Sequence, residues 1–194
     1  MRTSAPPLAP VFRSMLQGRL LALVLLRPGE DRTVTDLAHR LDAHPATVHR
    51  EVQRLSEAGI LETRRVGRTR LVRAGTAAPY VPELAALVLK AFGPVPILTE
   101  LLTRLPGLDA AFVFGSWAER YAGRPGPTPG DIDVLLIGQP DRDQAYALAE
   151  EAGRIIGLEV SIVIRSPEAW ASSDEGFLRG LRDGTLIPIR ESAA

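Results

Sequence analysis

Two aspartates and a glycine-serine turn are the residues whose types and spacing favour chemistry in this chain. Asp131 and Asp133 stand two positions apart at the start of an apolar run, so in a strand both carboxylates project from the same face. Two like charges held side by side repel each other unless a cation bridges them. Gly115 and Ser116 end an earlier apolar run, where glycine permits close backbone approach and serine at a helix start suits phosphate. Together these four residues predict a metal and nucleotide site.

A glycine-serine turn followed by an Asp-x-Asp strand resembles the signature of the nucleotidyltransferase fold of the DNA polymerase beta superfamily, in its minimal prokaryotic members. The resemblance covers residues 95–164. It implies a nucleoside triphosphate (NTP) as substrate or ligand and Mg²⁺ or Mn²⁺ as the cation, with the glycine and serine binding the nucleotide and both aspartates binding the metal. Arg120 and Arg124 are candidates for contacting the triphosphate, and both are equally compatible with exposed loop residues.

The reaction of this superfamily typically uses three carboxylates, and the third acid is missing from its expected position. That position, on the next strand, is Ser161, which is a poor metal ligand and a poor base. Glu159 lies on the same side of that strand, one pleat earlier. Either Glu159 joins Asp131 and Asp133 as a third catalytic acid, or the site binds nucleotide or metal with weak or absent catalysis, or the fold is only a scaffold. Gly130 also replaces the serine that the family prefers before its first aspartate, and both departures weaken the interpretation as an active enzyme.

Charge divides the chain into two unlike halves. Residues 1–76 hold 13 arginines and 7 acidic residues, a net charge of +6, whereas residues 77–194 hold 10 basic and 16 acidic residues, a net charge of −6. A basic half joined to an acidic half indicates two domains with different partners. The basic half suits double-stranded DNA, and the acidic half would repel nucleic acid unless cations intervene.

The basic half has the order helix, helix, turn, helix and hairpin. Apolar spacing predicts a helix over residues 11–26, and the capping-box form of Thr33 and Asp36 predicts a short second helix. A third helix begins at Pro45 and carries polar and basic residues on its outer face. The inner face of that helix is expected to bury three residues at helical spacing, Val48, Val52 and Leu55.

An arginine-rich hairpin over residues 60–73 follows the third helix. This order of elements, from residue 33 to residue 73, resembles the winged helix-turn-helix of small bacterial repressors. The resemblance implies that the third helix enters the major groove and that the hairpin contacts phosphates. The residues expected to contact DNA are Thr47, His49, Arg50, Gln53, Arg54, Arg64, Arg65, Arg68 and Arg70. A dimerisation or protein-docking module with a solvated arginine surface is the alternative.

Two residues depart from this winged-helix pattern. His44 stands at the expected start of the third helix, where Ser, Thr, Asp or Asn would be a stronger cap. Glu51 lies within the same helix, where a carboxylate beside phosphate is unfavourable.

Composition sets further limits on the class of protein. The chain has no cysteine, which excludes disulfides and thiolate metal sites, and its longest aliphatic run, Leu20 to Leu26, is too short to span a bilayer. We therefore expect a cytoplasmic protein without a membrane partner. The expected organisation is a flexible N-terminus over 1–10, a DNA-binding domain over 11–76, connecting helices over 77–105 and a nucleotidyltransferase-like domain over 106–194. The expected fold class is α/β (α+β), with a winged helix-turn-helix followed by a mixed sheet flanked by helices.

Three functions compete on these observations. The leading hypothesis is a DNA-binding transcriptional regulator whose second domain binds nucleotide and Mg²⁺ with weak or no catalysis. The first alternative is an active transferase that moves a nucleoside monophosphate from an NTP to a protein or small-molecule hydroxyl. The second is an antitoxin-like partner of a toxin protein, with the winged helix regulating its own operon. A homodimer is compatible with all three.

Overall fold

The computed structural model describes residues 8–172 and 176–190. Within the chain, contacts cluster into two compact units that divide between Gly93 and Pro94. The division falls inside the segment over 77–105 that the sequence suggests as a connection, so its two helices are assigned to different units.

From residue 8 onward, the first unit contains four α-helices and a small antiparallel sheet. Its elements follow a short 3₁₀ turn at Ala9–Val11 and are α1 (Met15–Leu25), β1 (Arg32–Thr33), α2 (Val34–Arg40), α3 (Pro45–Glu57), β2 (Leu61–Val66), β3 (Thr69–Ala74) and α4 (Val81–Phe92). The strand order is β1-β3-β2, with both pairings antiparallel.

Side chains at the helix starts explain where the first helices begin. The Ser14 hydroxyl accepts a hydrogen bond from the Gln17 backbone N–H at 3.1 Å, and the Thr33 hydroxyl accepts one from the Asp36 N–H at 3.0 Å. Each bond satisfies a donor that the first helical turn leaves without a partner. The strand β1 is only two residues long and was not expected, because it exists through its pairing with β3.

The third helix and the hairpin follow the expected pattern closely. Val48, Val52 and Leu55 of α3 are all buried. Strands β2 and β3 are joined by Gly67 and Arg68, and the Gly67 φ of 59° fits a two-residue hairpin turn with glycine in its first position.

Helix α4 packs against α1 in the first unit. The rings of Phe12 and Phe92 meet edge to face with centroids 5.0 Å apart, and a Cβ added to Gly18 would lie 2.1 Å from the Phe92 ring. By length and composition alone, the stretch Val81–Leu102, which contains α4 and α5, is apolar enough to cross a membrane, and no other helical stretch among the described residues meets the same test. Core helices of globular proteins have the same properties, and half of the most apolar part of this stretch is buried.

In the described residues of the second unit, four strands form a mixed sheet. Its elements are α5 (Pro94–Leu102), β4 (Leu108–Phe114), α6 (Gly115–Tyr121), β5 (Asp131–Gly138), α7 (Arg142–Ile156), β6 (Glu159–Arg165), α8 (Pro167–Ser172), α9 (Gly176–Asp183) and β7 (Ile187–Arg190). The strand order is β6-β5-β4-β7. Strands β5 and β6 are parallel, whereas β4 is antiparallel to both β5 and β7.

Both faces of this sheet are covered. On one face Phe114, Leu135 and Ile137 form a core that Trp170 of α8 and Leu181 of α9 cover. The alternate residues of β5, which are Ile132, Val134 and Leu136, point to the opposite face and are completely buried. The expected class, a winged helix-turn-helix region followed by a mixed sheet with flanking helices, is confirmed.

Candidate nucleic-acid interface and carboxylate site

The outer face of α3 presents most of the side chains expected to contact DNA. His49, Arg50, Gln53 and Arg54 are exposed, and Thr47 is half-buried. The opposite side of the helix packs into the core of the unit through Val48, Val52 and Leu55, so the outer face is left exposed to solvent.

His44 caps this helix, so the departure from the preferred cap residues is partly compensated. Its Nδ1 accepts a hydrogen bond from the Ala46 backbone N–H at 3.2 Å. Pro45 at the first helical position lacks an N–H and leaves one donor fewer to satisfy.

A hydrogen-bonded chain connects α3 to the hairpin. The Arg70 Nη1 lies 3.2 Å from the His49 Nε2, and the Arg70 Nη2 donates to the Thr63 hydroxyl at 3.2 Å. Arg70 is therefore held at two of its nitrogens by residues of a helix and a strand. His49 and Arg70, which the sequence suggests as separate DNA contacts, belong to one group.

Several other arginines are paired with carboxylates. Arg54 forms an ion pair with Glu51 on its own helix, which offsets the unfavourable carboxylate noted in the sequence. Arg64 forms an ion pair with Asp31, and the hydrogen bond from Arg64 lowers the pKa of Asp31.

Glu62 closes the base of the hairpin. Its carboxylate accepts bonds from the Thr76 backbone N–H at 2.8 Å, from the Thr76 hydroxyl at 2.8 Å and from the Arg73 Nη2 at 2.8 Å. The backbone hydrogen bond from Thr76 contributes most, followed by Arg73, and together these bonds lower the pKa of Glu62 to about 2. The Arg73 charge is thus matched locally.

Arg50, Arg65 and Arg68 differ from these paired arginines. Within residues 8–172 and 176–190 none of the three forms an ion pair, and all three are exposed. Arg68 lies in the turn of the hairpin, and Arg65, on β2, lies opposite Arg70 of β3. These three guanidinium groups have no carboxylate partner among the described residues, and neither does Arg70, whose contacts are to the Thr63 hydroxyl and the His49 ring.

Residues 19–65 match the family model of the IclR helix-turn-helix domain. The matched segment begins within α1 and ends on β2, the first strand of the hairpin. It makes up less than half of the chain. The first unit therefore carries a winged helix-turn-helix DNA-binding domain, of the kind found in transcriptional regulators. A search of curated proteins gave no significant match.

Solved structures were also compared with the chain. A mutant of Lactococcus lactis ZitR is 19% identical with a TM-score of 0.37, and the match covers 54% of this chain and 68% of that one. The homodimeric winged helix-turn-helix domain of Mb0332 from Mycobacterium bovis, described as a possible ArsR-family transcriptional regulator, is 24% identical with a TM-score of 0.30. That match covers 45% of this chain and 86% of the domain.

In the second unit, the two aspartates lie where β5 begins, on the same face of the sheet. Asp131 is exposed and Asp133 is half-buried. In the parallel pairing with β6, Asp131 lies beside Glu159 and Asp133 beside Ser161. The serine thus occupies the neighbouring position of Asp133, and the glutamate is one pleat away from it, as the sequence pattern suggests.

Gly115 touches the carboxylate of Asp133. Its φ is 69°, and a Cβ at this position would lie 2.6 Å from the Asp133 Oδ2. Glycine is therefore required for two reasons, the left-handed backbone and the space that the carboxylate occupies. Burial, and secondly the charge of Asp131, raise the pKa of Asp133. Ser116 follows as an exposed residue in the first turn of α6.

Other groups around the aspartates are less directly engaged. Arg124 is ion-paired with Glu119 at 2.6 Å, and Arg120 is half-buried in the last turn of α6. No three His, Asp or Glu side chains in the described part of the chain lie close enough together to hold a metal ion. Two adjacent carboxylates still fit a cation such as Mg²⁺, which binds through one or two carboxylates and keeps several waters.

Two buried polar groups were not predicted from the sequence. The Nε1 of Trp117 and the Nε of Arg32 are buried without a hydrogen-bond partner in the described residues. Arg32 also forms ion pairs with Glu30 at 2.6 Å and Asp36 at 3.3 Å, so its charge is compensated. Neither position carries a local sequence signal, because an arginine and a tryptophan are compatible with exposed or buried sites.

Proposed function

We propose that this protein is a DNA-binding transcriptional regulator whose second unit binds a nucleoside triphosphate with Mg²⁺ or Mn²⁺ as an effector. The observation that carries the DNA proposal is the combination of an exposed polar face on α3 with free guanidinium groups on the hairpin beside it. Protein–DNA affinity depends largely on arginine and lysine contacts to phosphates, and base contacts add sequence preference. A cytoplasmic location accompanies this proposal.

The described side chains suggest different roles within the interface. Arg50 and Thr47, on the outer side of α3, contact base edges in the major groove in this proposal. Arg65 and Arg68, at the exposed end of the hairpin, contact backbone phosphates. Arg70, held by His49 and Thr63, is fixed before DNA arrives and loses little side-chain freedom on binding.

The carboxylate pair supports the effector proposal together with the resemblance to nucleotidyltransferases. Asp131 and Asp133 would hold the cation, which supplies positive charge for the phosphates of the nucleotide. Gly115 leaves room for the Asp133 carboxylate, and Ser116 offers its N–H and hydroxyl to phosphate. Since Ser161 rather than a carboxylate lies beside Asp133, binding without rapid transfer is favoured over active transfer.

DNA binding is tested by selecting sequences from a random duplex library and measuring affinity by fluorescence anisotropy. Arg50→Ala is expected to weaken binding to the selected site by roughly five- to a hundredfold and to relax preference at one base pair, as loss of a base contact does. Arg142→Ala, at the first position of α7, removes an equal charge from the second unit and serves as the matched control. A chain that binds no duplex at low salt would refute the proposal.

Nucleotide binding is tested separately, with labelled ATP and GTP in the presence of Mg²⁺ or Mn²⁺. Asp131→Asn/Asp133→Asn is expected to abolish metal-dependent binding, whereas Asp143→Asn on α7 should not affect it. Transfer of labelled nucleoside monophosphate to a supplied acceptor by the wild type, lost in the double variant, would instead support the transferase. Co-purification of a toxin encoded next to this gene would support the antitoxin alternative.

A further inference from the structure

Strand β6 forms an open edge of the sheet in the second unit. One side pairs with β5 along its whole length, from Asp131 beside Glu159 to Ile137 beside Arg165. Within the described residues no strand pairs with its other side. Backbone N–H and C=O groups along such an edge can pair with a further strand. The side chains of residues 160–165 are all partly exposed, although four of the six are aliphatic.

The charges of β6 make the strand complementary to a second copy of itself. Glu159 is its first residue and Arg165 is its last, with five uncharged residues between them. In an antiparallel pair centred on Ile162, Glu159 of each copy lies opposite Arg165 of the other. Such cross-strand pairs of opposite charge stabilise a sheet, and a twofold axis provides each of them twice.

The surroundings of both charged residues favour this pairing. Glu159 is exposed and lies beside Asp131, so two like charges are neighbours at this end of the strand. The Arg165 Nη1 donates to the backbone carbonyl of Ile164 at 2.9 Å, and Arg165 has no ion pair among the described residues. A guanidinium from a second copy would therefore reduce the repulsion between the two carboxylates and gain its own acidic partner.

A groove beside the strand supplies additional contact surface. It has a volume of about 570 Å³ and lies between α7 and the start of β6, lined by Tyr146, Gly153 and Val160 among others. Because paired residues share one face of a sheet, Ile164 of the second copy would lie beside Val160, next to this groove. Tyr146 and Ile155 of α7 are exposed apolar residues. Strand pairing alone buries less than the roughly 1,200 Å² of a stable interface, so the side chains around the groove supply the additional buried area.

We propose that β6 is a self-association edge, through which two copies of this chain pair antiparallel about Ile162 and join their sheets. The proposal does not depend on nucleotide binding or on DNA binding. Its consequence for a DNA-binding protein is two winged helix-turn-helix domains in one molecule, and hence tighter binding to paired sites than to a single site.

Charge reversal tests the pairing register in the full-length chain. Wild type is expected to be a dimer by analytical ultracentrifugation at micromolar concentration. Glu159→Arg and Arg165→Glu should each raise the dimer dissociation constant at least about tenfold, because two attractive pairs become repulsive. The double variant restores opposite charges and should return close to wild type. Glu83→Arg on α4 is the control for a reversed surface charge, and circular dichroism checks folding of every variant.

Cysteine crosslinking tests the centre of the pairing independently. The chain has no natural cysteine, so a single introduced thiol has no competitor. In the proposed register Ile162→Cys faces itself across the twofold axis, with Cα atoms about 4.5–5.5 Å apart, and should form a disulfide-linked dimer on mild oxidation. Ser161→Cys faces Val163 and lies more than about 7 Å from its own copy, so it should stay largely monomeric under denaturing electrophoresis.

Three results would overturn the proposal. The first is a wild-type chain that stays monomeric at 100 µM concentration, about a hundredfold above a micromolar dissociation constant. The second is a dimer that both single charge reversals leave unchanged. The third is a double variant as weak as the single ones, with Ser161→Cys crosslinking as fast as Ile162→Cys.

Discussion

The division between paired and free arginines in the first unit leads to a quantitative prediction about salt. Arg65 and Arg68 are exposed without an ionic partner in the described residues, whereas Arg64 is bound to Asp31 and Arg73 to Glu62. A free guanidinium that contacts phosphate releases a counterion from DNA, and a guanidinium already matched by a carboxylate releases less. Two double variants with the same loss of charge should therefore behave differently.

The expected magnitude follows from counterion release. Each phosphate contact contributes about 0.9 to the slope of log affinity against log salt, so Arg65→Ala/Arg68→Ala should reduce the slope by about 1.8. A fourfold rise in salt would then cost the wild type about twelvefold more affinity than it costs this variant. Arg64→Ala/Arg73→Ala, which also removes two charges, should change the slope by well under half of that amount.

Fluorescence anisotropy with one labelled duplex, titrated at five salt concentrations from 50 to 250 mM, measures these slopes. Far-ultraviolet circular dichroism and thermal melting establish that both double variants stay folded. Equal reductions of slope in the two double variants would refute the reasoning, because the ion pairs would then have no influence on DNA binding. An unchanged slope in Arg65→Ala/Arg68→Ala would show that the turn of the hairpin does not contact DNA.

Three further predictions concern stability, each measured by urea denaturation. Gly115→Ala should lose at least about 1 kcal/mol, because the left-handed backbone and the Asp133 carboxylate both oppose a Cβ, whereas Gly126→Ala, which has nothing within 4 Å, should be nearly neutral. Asp133→Asn should be more stable than the wild type at pH 7. Because the pKa of Asp133 is raised in the folded protein, the folded state keeps this proton to a higher pH than the unfolded state does, so the wild type loses stability as the pH rises. The difference in stability between the variant and the wild type should vanish below a pH of about 4. A constant difference across pH would contradict that origin. His44→Ala should cost about 0.5–1 kcal/mol by removing the cap of α3, and His44→Asn should not; equal losses would exclude the capping role.

The elements with strong local signals were predictable from the sequence. The spacing of Val48, Val52 and Leu55 was enough to predict the buried side of α3. The residues between them predicted its exposed face. The alternation of β5 and β6 likewise placed Ser161, rather than an acid, beside Asp133. Such features depend on the repeat of a single helix or strand, and that repeat can be read from consecutive residues of the sequence.

Features that depend on long-range pairing were not predictable. Arg64 and Asp31 are 33 positions apart, and their ion pair follows from the folding of the hairpin against the segment before α2. The short strand β1 has the same origin, since Arg32 and Thr33 are extended only because β3 lies beside them. The bond between His49 and Arg70 turned two expected DNA contacts into one fixed group for the same reason. Helix ends shifted by a few residues because caps and packing set them.

The open edge of β6 has a consequence for amide hydrogen exchange. Along an edge strand the backbone N–H groups point alternately toward the neighbouring strand and toward solvent. In isolated copies, amides of β6 should therefore exchange in an alternating slow and fast pattern, whereas those of β5, enclosed between β6 and β4, should be uniformly slow. If two copies pair at this edge, the fast amides of β6 become slow as protein concentration rises. The pattern of protection along seven residues thus reports whether the sheet ends at β6 or continues into another molecule.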